Sequence, residues 1–125
     1  KYKFPIGFKK SRVLFNFHRA KQLDSPRLII VEGFFDCIKL HQAGFPSVVA
    51  LMGSSISEFQ KELVLSLKKD LVILLDGDSV GRKATKQLLK AFKGHVKVIP
   101  RHVPWAMQPD SMPPEELTKL LKTRG

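Results

Sequence analysis

The stretch LVILLDGDSVGRKA, residues 71–84, contains the pattern that decides the fold. It begins with a run of apolar residues, continues through Asp76, Gly77 and Asp78, and then becomes a basic segment with helical spacing. A short apolar run rich in β-branched residues is typical of a strand covered on both faces of a sheet. A helix directly after such a strand is typical of a βαβ unit, so the stretch predicts an α/β fold.

Three further apolar runs have the length and composition of buried strands: residues 28–32, 47–51 and 95–100. The segments between the runs place their apolar residues at helical spacing. Strands that alternate with helices in this way indicate parallel strands joined by crossover helices. We therefore predict an α/β fold with a central, mainly parallel four-stranded sheet flanked by helices.

Local signals locate the helices between these strands. Residues 34–43 should form the first helix, which Gly44 should end because glycine is favoured just after a helix. Ser55 and Glu58 have capping-box spacing, so the second helix should open with them. The third should begin near Ser79. The apolar stripe predicted for the second helix consists of Ile56, Phe59, Leu63 and Leu67.

The charge balance points to a polyanionic partner. The chain contains 22 Lys and Arg against 11 acidic residues, for a formal charge of +11. Such an excess favours nucleic acid over an anionic membrane surface, with a basic domain that lacks such a partner as the alternative. Residues 1–27 hold eight Lys and Arg and one acid, so we expect the amino end to bind nucleic acid. The candidate residues are Lys3, Lys9, Lys10, Arg12 and Arg19.

Aromatic residues are interleaved with these cations. That mixture is suited to phosphate contacts combined with base stacking. Phe15 and Phe17 are two residues apart, so on a strand they would share one face. We expect these two to pack into the core instead of contacting a base.

Other residue classes exclude several kinds of site. Cys37 is the only cysteine, which excludes a disulfide framework and a Cys-rich zinc site and suits a reducing cytoplasm. No apolar run approaches the ~20 residues of a membrane span, so we expect no membrane partner. The histidines lack ligand spacing, and we expect them to be surface or packing residues: His18, His41, His95 and His102.

Acidic residues follow two of the predicted strands. Asp76 and Asp78 are two apart, so a locally extended chain points both carboxylates the same way. Two like charges this close favour a cation between them, and Mg²⁺ prefers such oxygen ligands. A surface turn is the alternative for this pair alone. Glu32 ends another strand and is also followed by glycine, which favours an acid cluster at one edge of the sheet.

The same edge offers groups for phosphate. Gly81 permits close approach, and the start of the third helix offers N–H groups and a positive dipole end. Arg82 and Lys83 stand beside it, although a solvated helix face is the alternative for both. The candidate phosphate- or nucleotide-binding residues are Gly33, Gly53, Ser54, Gly81, Arg82 and Lys83.

Three quoted motifs resemble one family. VEGFFD (31–36), VVALMGSSISEFQ (48–60) and DGDSVGRKA (76–84) resemble the Toprim domain of bacterial DNA primases and of related phage or mobile-element primases. FKKSRVLFNFHRAK (8–21) resembles the segment that joins a primase's basic amino-terminal subdomain to its Toprim core. The resemblance covers roughly residues 4–116. The implied organisation is a basic linker segment over residues 1–26 and a Toprim domain over residues 27–125.

The resemblance implies roles for the acids. Glu32 takes the place of the catalytic glutamate, as a metal ligand or general acid/base, and Asp76 and Asp78 take catalytic positions that bind Mg²⁺, or Mn²⁺. A further acidic position follows the fourth strand in the family, usually in an Asp-Pro-Asp-like stretch. Here that stretch is Gln108-Pro109-Asp110, so Asp110 is left as the outer metal ligand and a fully occupied multi-metal site is put in doubt.

The implied function is magnesium-dependent nucleotidyl transfer in RNA primer synthesis, with nucleoside triphosphates and a single-stranded DNA template as partners. The replicative helicase is a further partner, reached through other domains of such primases, and without those domains we do not expect the 125 residues to polymerise alone. The alternatives are a metal-dependent Toprim nuclease and a non-catalytic nucleic-acid-binding module of a larger replication protein. A topoisomerase needs a nucleophilic tyrosine. The only tyrosine in the sequence is Tyr2, at its amino end, so we set a topoisomerase aside unless another domain provides the tyrosine.

Overall fold

The computed structural model describes residues 14–53, 55–104 and 107–122. Its sheet has four strands in the order β2-β1-β3-β4, and every pair is parallel. The predicted α/β fold with a parallel four-stranded sheet is therefore confirmed. The strands are β1 (Arg27–Val31), β2 (Val48–Ala50), β3 (Asp70–Ile73) and β4 (Val98–Pro100).

Helices cover both faces of this sheet. One apolar cluster joins alternate sheet residues such as Leu28 and Ile30 to the first, third and fourth helices. The other joins Ile29 and Val31 to the second and fifth helices. Both faces of each central strand are thus buried, which explains their nearly continuous apolar sequences. The helices are α1 (Phe17–Gln22), α2 (Phe34–Gln42), α3 (Glu58–Ser66), α4 (Ser79–Phe92) and α5 (Pro114–Lys122), with a 3₁₀ turn at Pro109–Ser111.

The register of the two central strands brings their carboxyl ends together. Ile30 of β1 is paired with Ile73 of β3, and the Leu74 N–H donates to the Ile30 carbonyl at 2.9 Å. Glu32 follows β1 directly, and Asp76 lies three residues beyond the end of β3. The two acids therefore leave neighbouring strands at the same edge of the sheet.

The start of α3 differs from the prediction. Ser57, not Ser55, caps the helix: its hydroxyl accepts from the Gln60 N–H at 3.0 Å, and the Gln60 side chain accepts from the Ser57 N–H at 3.0 Å. This pair has the same spacing as Ser55 and Glu58, so spacing alone could not choose between them. With the helix beginning at Glu58, Phe59 is 47% exposed, and Gln60 takes the buried position beside the sheet.

The prediction for Phe15 and Phe17 is also wrong in its geometry. Phe15 makes an isolated antiparallel bridge to Ala50 and leaves 37% of its side chain exposed. Phe17 begins α1 and packs partly buried against the core. The two do not share a strand face because Asn16 between them has a positive φ of 70°, which turns the chain.

Part of the predicted linker belongs to the packed structure. Leu14 and Ala20 are buried in the same cluster as Leu28 of β1. The division at residues 26 and 27 remains a prediction. Within the described ranges, no helix combines the length and apolar character required to cross a membrane.

Candidate metal and nucleotide site

Two carboxylates at the sheet edge have oxygens that no protein group satisfies. In the described part of the chain, Oε1 of Glu32 and Oδ1 of Asp76 are buried and have no hydrogen-bond partner. A buried polar atom without a partner is costly, and a charged one more so. The pair is therefore arranged either to hold protons or to bind a cation.

The pKa values of Glu32 and Asp76 also show that the charged forms of the two carboxyls are poorly stabilised. Burial raises the pKa of Glu32 to about 7, with further contributions from repulsion by Asp76, Asp78 and Asp36. Burial also raises the pKa of Asp76 to about 6, followed by repulsion from Asp36 and Asp78. A bound cation would lower both pKa values by favouring the charged forms.

Asp78 has a structural task as well as a charge. It is exposed, and its Oδ1 accepts from the Gly81 N–H at 2.7 Å, which caps the start of α4. Its charge still reaches Glu32 and Asp76, since it contributes to the raised pKa of both. The structure therefore places Asp78 beside the pair, with one of its oxygens used by the helix.

A fourth acid, Asp36, ties the site together. Only 6% of Asp36 is exposed, and its two oxygens accept from the Gly33 N–H at 3.3 Å and from the Asp110 N–H at 2.9 Å. Burial is the main reason that the pKa of Asp36 is raised. These bonds fasten the start of α2 to the 3₁₀ turn that carries Asp110. No role was predicted for Asp36, although an acid in the first helical turn after a glycine was the available signal.

The glycine between the aspartates is required by packing. A Cβ at Gly77 would collide with the carbonyl oxygen of Pro104, and the Gly77 N–H donates to the Met107 carbonyl at 2.7 Å. A Cβ at Gly81 would likewise collide with the Asp76 carbonyl oxygen. The backbone that presents the two aspartates is therefore held tightly by its neighbours.

The acids open into a cleft with a volume of about 850 Å³. Among the described residues, no Lys, Arg or His lines it, so its electrostatic character is set by carboxylates. The carboxylates are joined by aromatic side chains from the start of α2 and by the loop after β2. The lining residues are Glu32, Gly33, Phe34, Phe35, Asp36, Met52, Gly53, Asp76, Gln108 and Asp110.

The predicted phosphate-binding residues divide into two groups. Gly33 and Gly53 line the cleft, whereas Ser54 lies outside the described residues. The Gly81 N–H is bonded to Asp78, and the space above Gly81 is taken by the Asp76 carbonyl. The phosphate role of Gly81 therefore stays a prediction that this geometry does not favour.

The predicted cationic residues lie away from the cleft lining. Arg82 is half-buried and donates from Nη2 to the Val103 carbonyl at 2.5 Å, while Lys83 is exposed on α4. Arg19 is exposed on α1. The remaining candidates lie outside the described residues: Lys3, Lys9, Lys10 and Arg12.

The oxygen ligands at this site fit a hard cation that keeps part of its water better than a metal ion bound by protein ligands alone. Across the described ranges, no three His, Cys, Asp or Glu side chains are grouped to hold one metal ion, and all four histidines are exposed. Mg²⁺ is commonly bound through one or two carboxylates, with water and substrate phosphates completing its octahedron. The buried, unpartnered oxygens of Glu32 and Asp76 match that requirement.

Comparison with known proteins agrees with the fold and the motifs. A family model described as the Toprim domain matches residues 27–100. The DNA primase of Aquifex aeolicus is 34% identical over 125 residues, which cover 94% of this chain and 25% of that protein. The chain therefore spans about a quarter of the length of this relative.

Solved structures show the same similarity. The zinc-binding and RNA polymerase domains of the Aquifex aeolicus primase match with a TM-score of 0.83 and 33% identity, over 98% of this chain and 32% of that one. A primase catalytic domain bound to single-stranded DNA matches with a TM-score of 0.78 and 25% identity, over 92% of this chain and 39% of that one.

Proposed function

Because the chain belongs to the Toprim domain family and is of the DNA primase type, we propose that its cleft binds Mg²⁺, or Mn²⁺ in its place, for nucleotidyl transfer in RNA primer synthesis. The observation that carries the proposal is the pair of buried, unpartnered oxygens on Glu32 and Asp76. They leave adjacent parallel strands at one edge of the sheet, where ligands of such folds bind.

Each acid has a distinct task in this proposal. Glu32 and Asp76 hold the cation, which would lower the pKa of Glu32 from the value of about 7 that it has without metal. Asp78 adds negative charge while it anchors α4. Asp110 lines the same cleft and is held through its N–H by Asp36. The neutral Gln108 beside it lowers the charge available for additional metal ions.

The cation would neutralise the triphosphate of the incoming nucleotide when bound, which is the established use of Mg²⁺ in phosphoryl transfer. The chain's own contribution is to fix the acids in a rigid backbone. Gly33 and Gly53 leave room for a substrate at the cleft wall. Phosphate contacts by Ser54, Arg82 and Lys83 stay predictions, and Arg82 would have to exchange its bond to the Val103 carbonyl for one to phosphate.

The template is assigned to the basic surface. A related catalytic domain has been solved bound to single-stranded DNA, which supports the same ligand here. We assign the phosphate contacts of that strand to the basic amino end of the chain, and contact with a replicative helicase to other parts of a longer protein. Primer synthesis would place the protein in the cytoplasm, with the buried thiol of Cys37 reduced. The basic residues proposed to contact the strand are Lys3, Lys9, Lys10, Arg12 and Arg19.

Calorimetric titration with Mn²⁺ tests the metal site in the chain itself. Asp76→Asn should abolish the heat of binding, because it removes one of the two buried anionic ligands. Asp24→Asn is the matched control, since Asp24 is an exposed acid that does not line the cleft, and its titration should match the wild type. Equal curves for Asp76→Asn and the wild type would contradict the metal site.

Catalysis requires a longer protein, so we test it in a chimeric primase that contains this chain. The chain replaces the corresponding segment of the Aquifex aeolicus primase, and the primer synthesis of this chimera is compared with that of the same chimera carrying Glu32→Gln. Glutamine keeps the shape and removes the charge, so primer synthesis should fall by about 10²-fold or more. Wild-type rates in the Glu32→Gln chimera would instead favour a non-catalytic module.

A further inference from the structure

An exposed aromatic surface lies directly beside the acidic cleft. The rings of Phe34 and Phe35 are stacked with centroids 4.6 Å apart, and the ring of Phe15 lies 5.5 Å from that of Phe34. Phe35 is 54% exposed, and Phe15 and Ile38 are 37% and 38% exposed. We call Phe15, Phe34, Phe35 and Ile38 the aromatic patch. Contiguous apolar surface of this kind on a folded protein usually marks a binding site.

The aromatic patch connects two cavities. Phe34 and Phe35 line the acidic cleft together with Glu32 and Asp76. Phe15 and Ile38 line a neighbouring groove of about 620 Å³, whose walls come from α1 and α2. The patch therefore forms a continuous surface that leads from the groove into the cleft.

The groove has the opposite electrostatic character to the cleft. Among the described residues that line it, none is an aspartate or glutamate. The exposed cation Arg19 lines it instead, together with the exposed polar side chains of His18 and His41. Aromatic rings that accept stacked bases, combined with cations that meet phosphates, are the features by which proteins bind single-stranded nucleic acid.

We propose that the aromatic patch is the surface on which unpaired bases of a single strand stack as that strand approaches the acidic cleft. The inference rests on the proposed function, in which the strand is the template. The occupant is a strand and not a mononucleotide because the patch spans two cavities and continues to the cation Arg19. A stack of rings beside an acid-free groove suits bases followed by phosphates better than it suits an apolar protein segment.

The test compares two exposed phenylalanines. Binding of a labelled deoxythymidine oligomer of about 12 nucleotides is measured by fluorescence anisotropy, alongside an abasic oligomer of equal length. Phe35→Ala should weaken binding of the thymidine oligomer at least about fivefold, since stacking on an aromatic ring is lost. Affinity for the abasic oligomer should not change. Phe59→Ala is the matched control, because Phe59 is 47% exposed on α3 and lines neither cavity.

Two further variants separate stacking from apolar contact and from misfolding. Phe35→Tyr keeps a ring and should retain wild-type affinity, whereas Phe35→Leu should bind as weakly as Phe35→Ala. Thermal unfolding of each variant checks that it is folded at the temperature of the binding assay, since Phe35→Ala and Phe35→Leu also remove the ring stack with Phe34. Competition with thymidine monophosphate should leave the bound oligomer in place at concentrations where an unlabelled oligomer displaces it.

The outcomes distinguish this inference from the proposed function. If the wild-type chain fails to bind either oligomer, the proposed template role is wrong, and the inference fails with it. If the chain binds but Phe35→Ala and Phe59→Ala bind equally well, only the inference is overturned, and the patch is better explained as a contact surface for another part of a protein. Displacement by thymidine monophosphate would assign the patch to the incoming nucleotide instead.

Discussion

Replacing Glu32 with glutamine should stabilise the protein in the absence of metal, although it removes a residue proposed to be essential for function. In the folded state the pKa of Glu32 is raised from 4.5 to about 7. Below pH 4.5 the carboxyl is protonated in both the folded and the unfolded chain, so the raised pKa costs nothing. Above pH 7 it is ionised in both, and the folded state then carries the full penalty of a poorly solvated charge.

The size of that penalty follows from the shift. A change of one pKa unit corresponds to about 1.4 kcal/mol, so the shift from 4.5 to about 7 gives an upper limit of about 3.5 kcal/mol. Glu32 is only half-buried, and solvent screens part of the repulsion from its neighbours, so we expect about 1–2 kcal/mol. For a chain of this size, that free energy corresponds to an increase of roughly 3–8 °C in melting temperature.

Urea unfolding with EDTA, at pH 8 and at pH 4.5, measures this effect. Glu32→Gln should be more stable than the wild type at pH 8, and the two should have nearly equal free energies of unfolding at pH 4.5. Glu62→Gln, at an exposed position of α3, is the control and should give the same small difference at both values. At pH 8, added Mg²⁺ should stabilise the wild type and leave the variant unchanged, since only a bound ligand adds to the free energy of unfolding.

The reasoning would be refuted if Glu32→Gln were less stable than the wild type at pH 8. It would also be refuted if the difference between the two proteins were independent of pH. Either result would mean that the Glu32 carboxylate is already stabilised in the folded chain without a cation.

Three other perturbations test separate features. Asp36→Ala should lower the free energy of unfolding by about 2–3 kcal/mol in chemical denaturation, because two backbone N–H groups lose a charged acceptor. Gly77→Ala should destabilise the chain in the same assay because a Cβ there collides with a backbone carbonyl, whereas Gly53→Ala, with open space around it, should not. Lys9→Glu combined with Lys10→Glu should flatten the dependence of single-strand affinity on salt, measured as log affinity against log salt concentration, because fewer counterions are released; an unchanged slope would assign these lysines to solubility.

The sheet could be predicted because each strand is marked by several consecutive residues and not by a single one. Each strand is a short apolar run, and burial on both faces makes such runs nearly continuous, so errors of one or two residues at the ends leave the topology intact. The capping position of α3 was mispredicted because Ser55 with Glu58 and Ser57 with Gln60 have the same spacing. Only the packing of Gln60 against the sheet selects Ser57. The turn at Asn16 depends on the positive φ of one residue, and no pattern in the neighbouring sequence predicts it.

The acids of the site were predictable to different degrees. The positions of Glu32 and Asp76 at one end of the sheet could be predicted because each follows an apolar strand, and parallel strands bring such positions together. The link between Asp36 and the 3₁₀ turn could not, because its partner is the Asp110 backbone, 74 residues along the chain. Hydrogen bonds to a backbone N–H leave no trace in the identity of the donor residue. The packing that requires glycine at Gly77 is hidden for the same reason, since the opposing atom is a backbone carbonyl.

The same cleft contains two kinds of carboxylate, and their hydrogen bonds distinguish them. Asp36 is the most buried of the described acids, yet both of its oxygens accept backbone N–H groups, so both are already used within the protein and the side chain holds two segments together. Glu32 and Asp76 are less buried, yet each has an oxygen shielded from water and from every described donor. Burial alone would rank Asp36 first as a ligand, but an oxygen already bonded to an N–H is a poorer metal ligand than one with no partner. The function of an acid here therefore depends on which groups fill its acceptor positions, and this difference supports the proposal that Glu32 and Asp76, not Asp36, hold the cation.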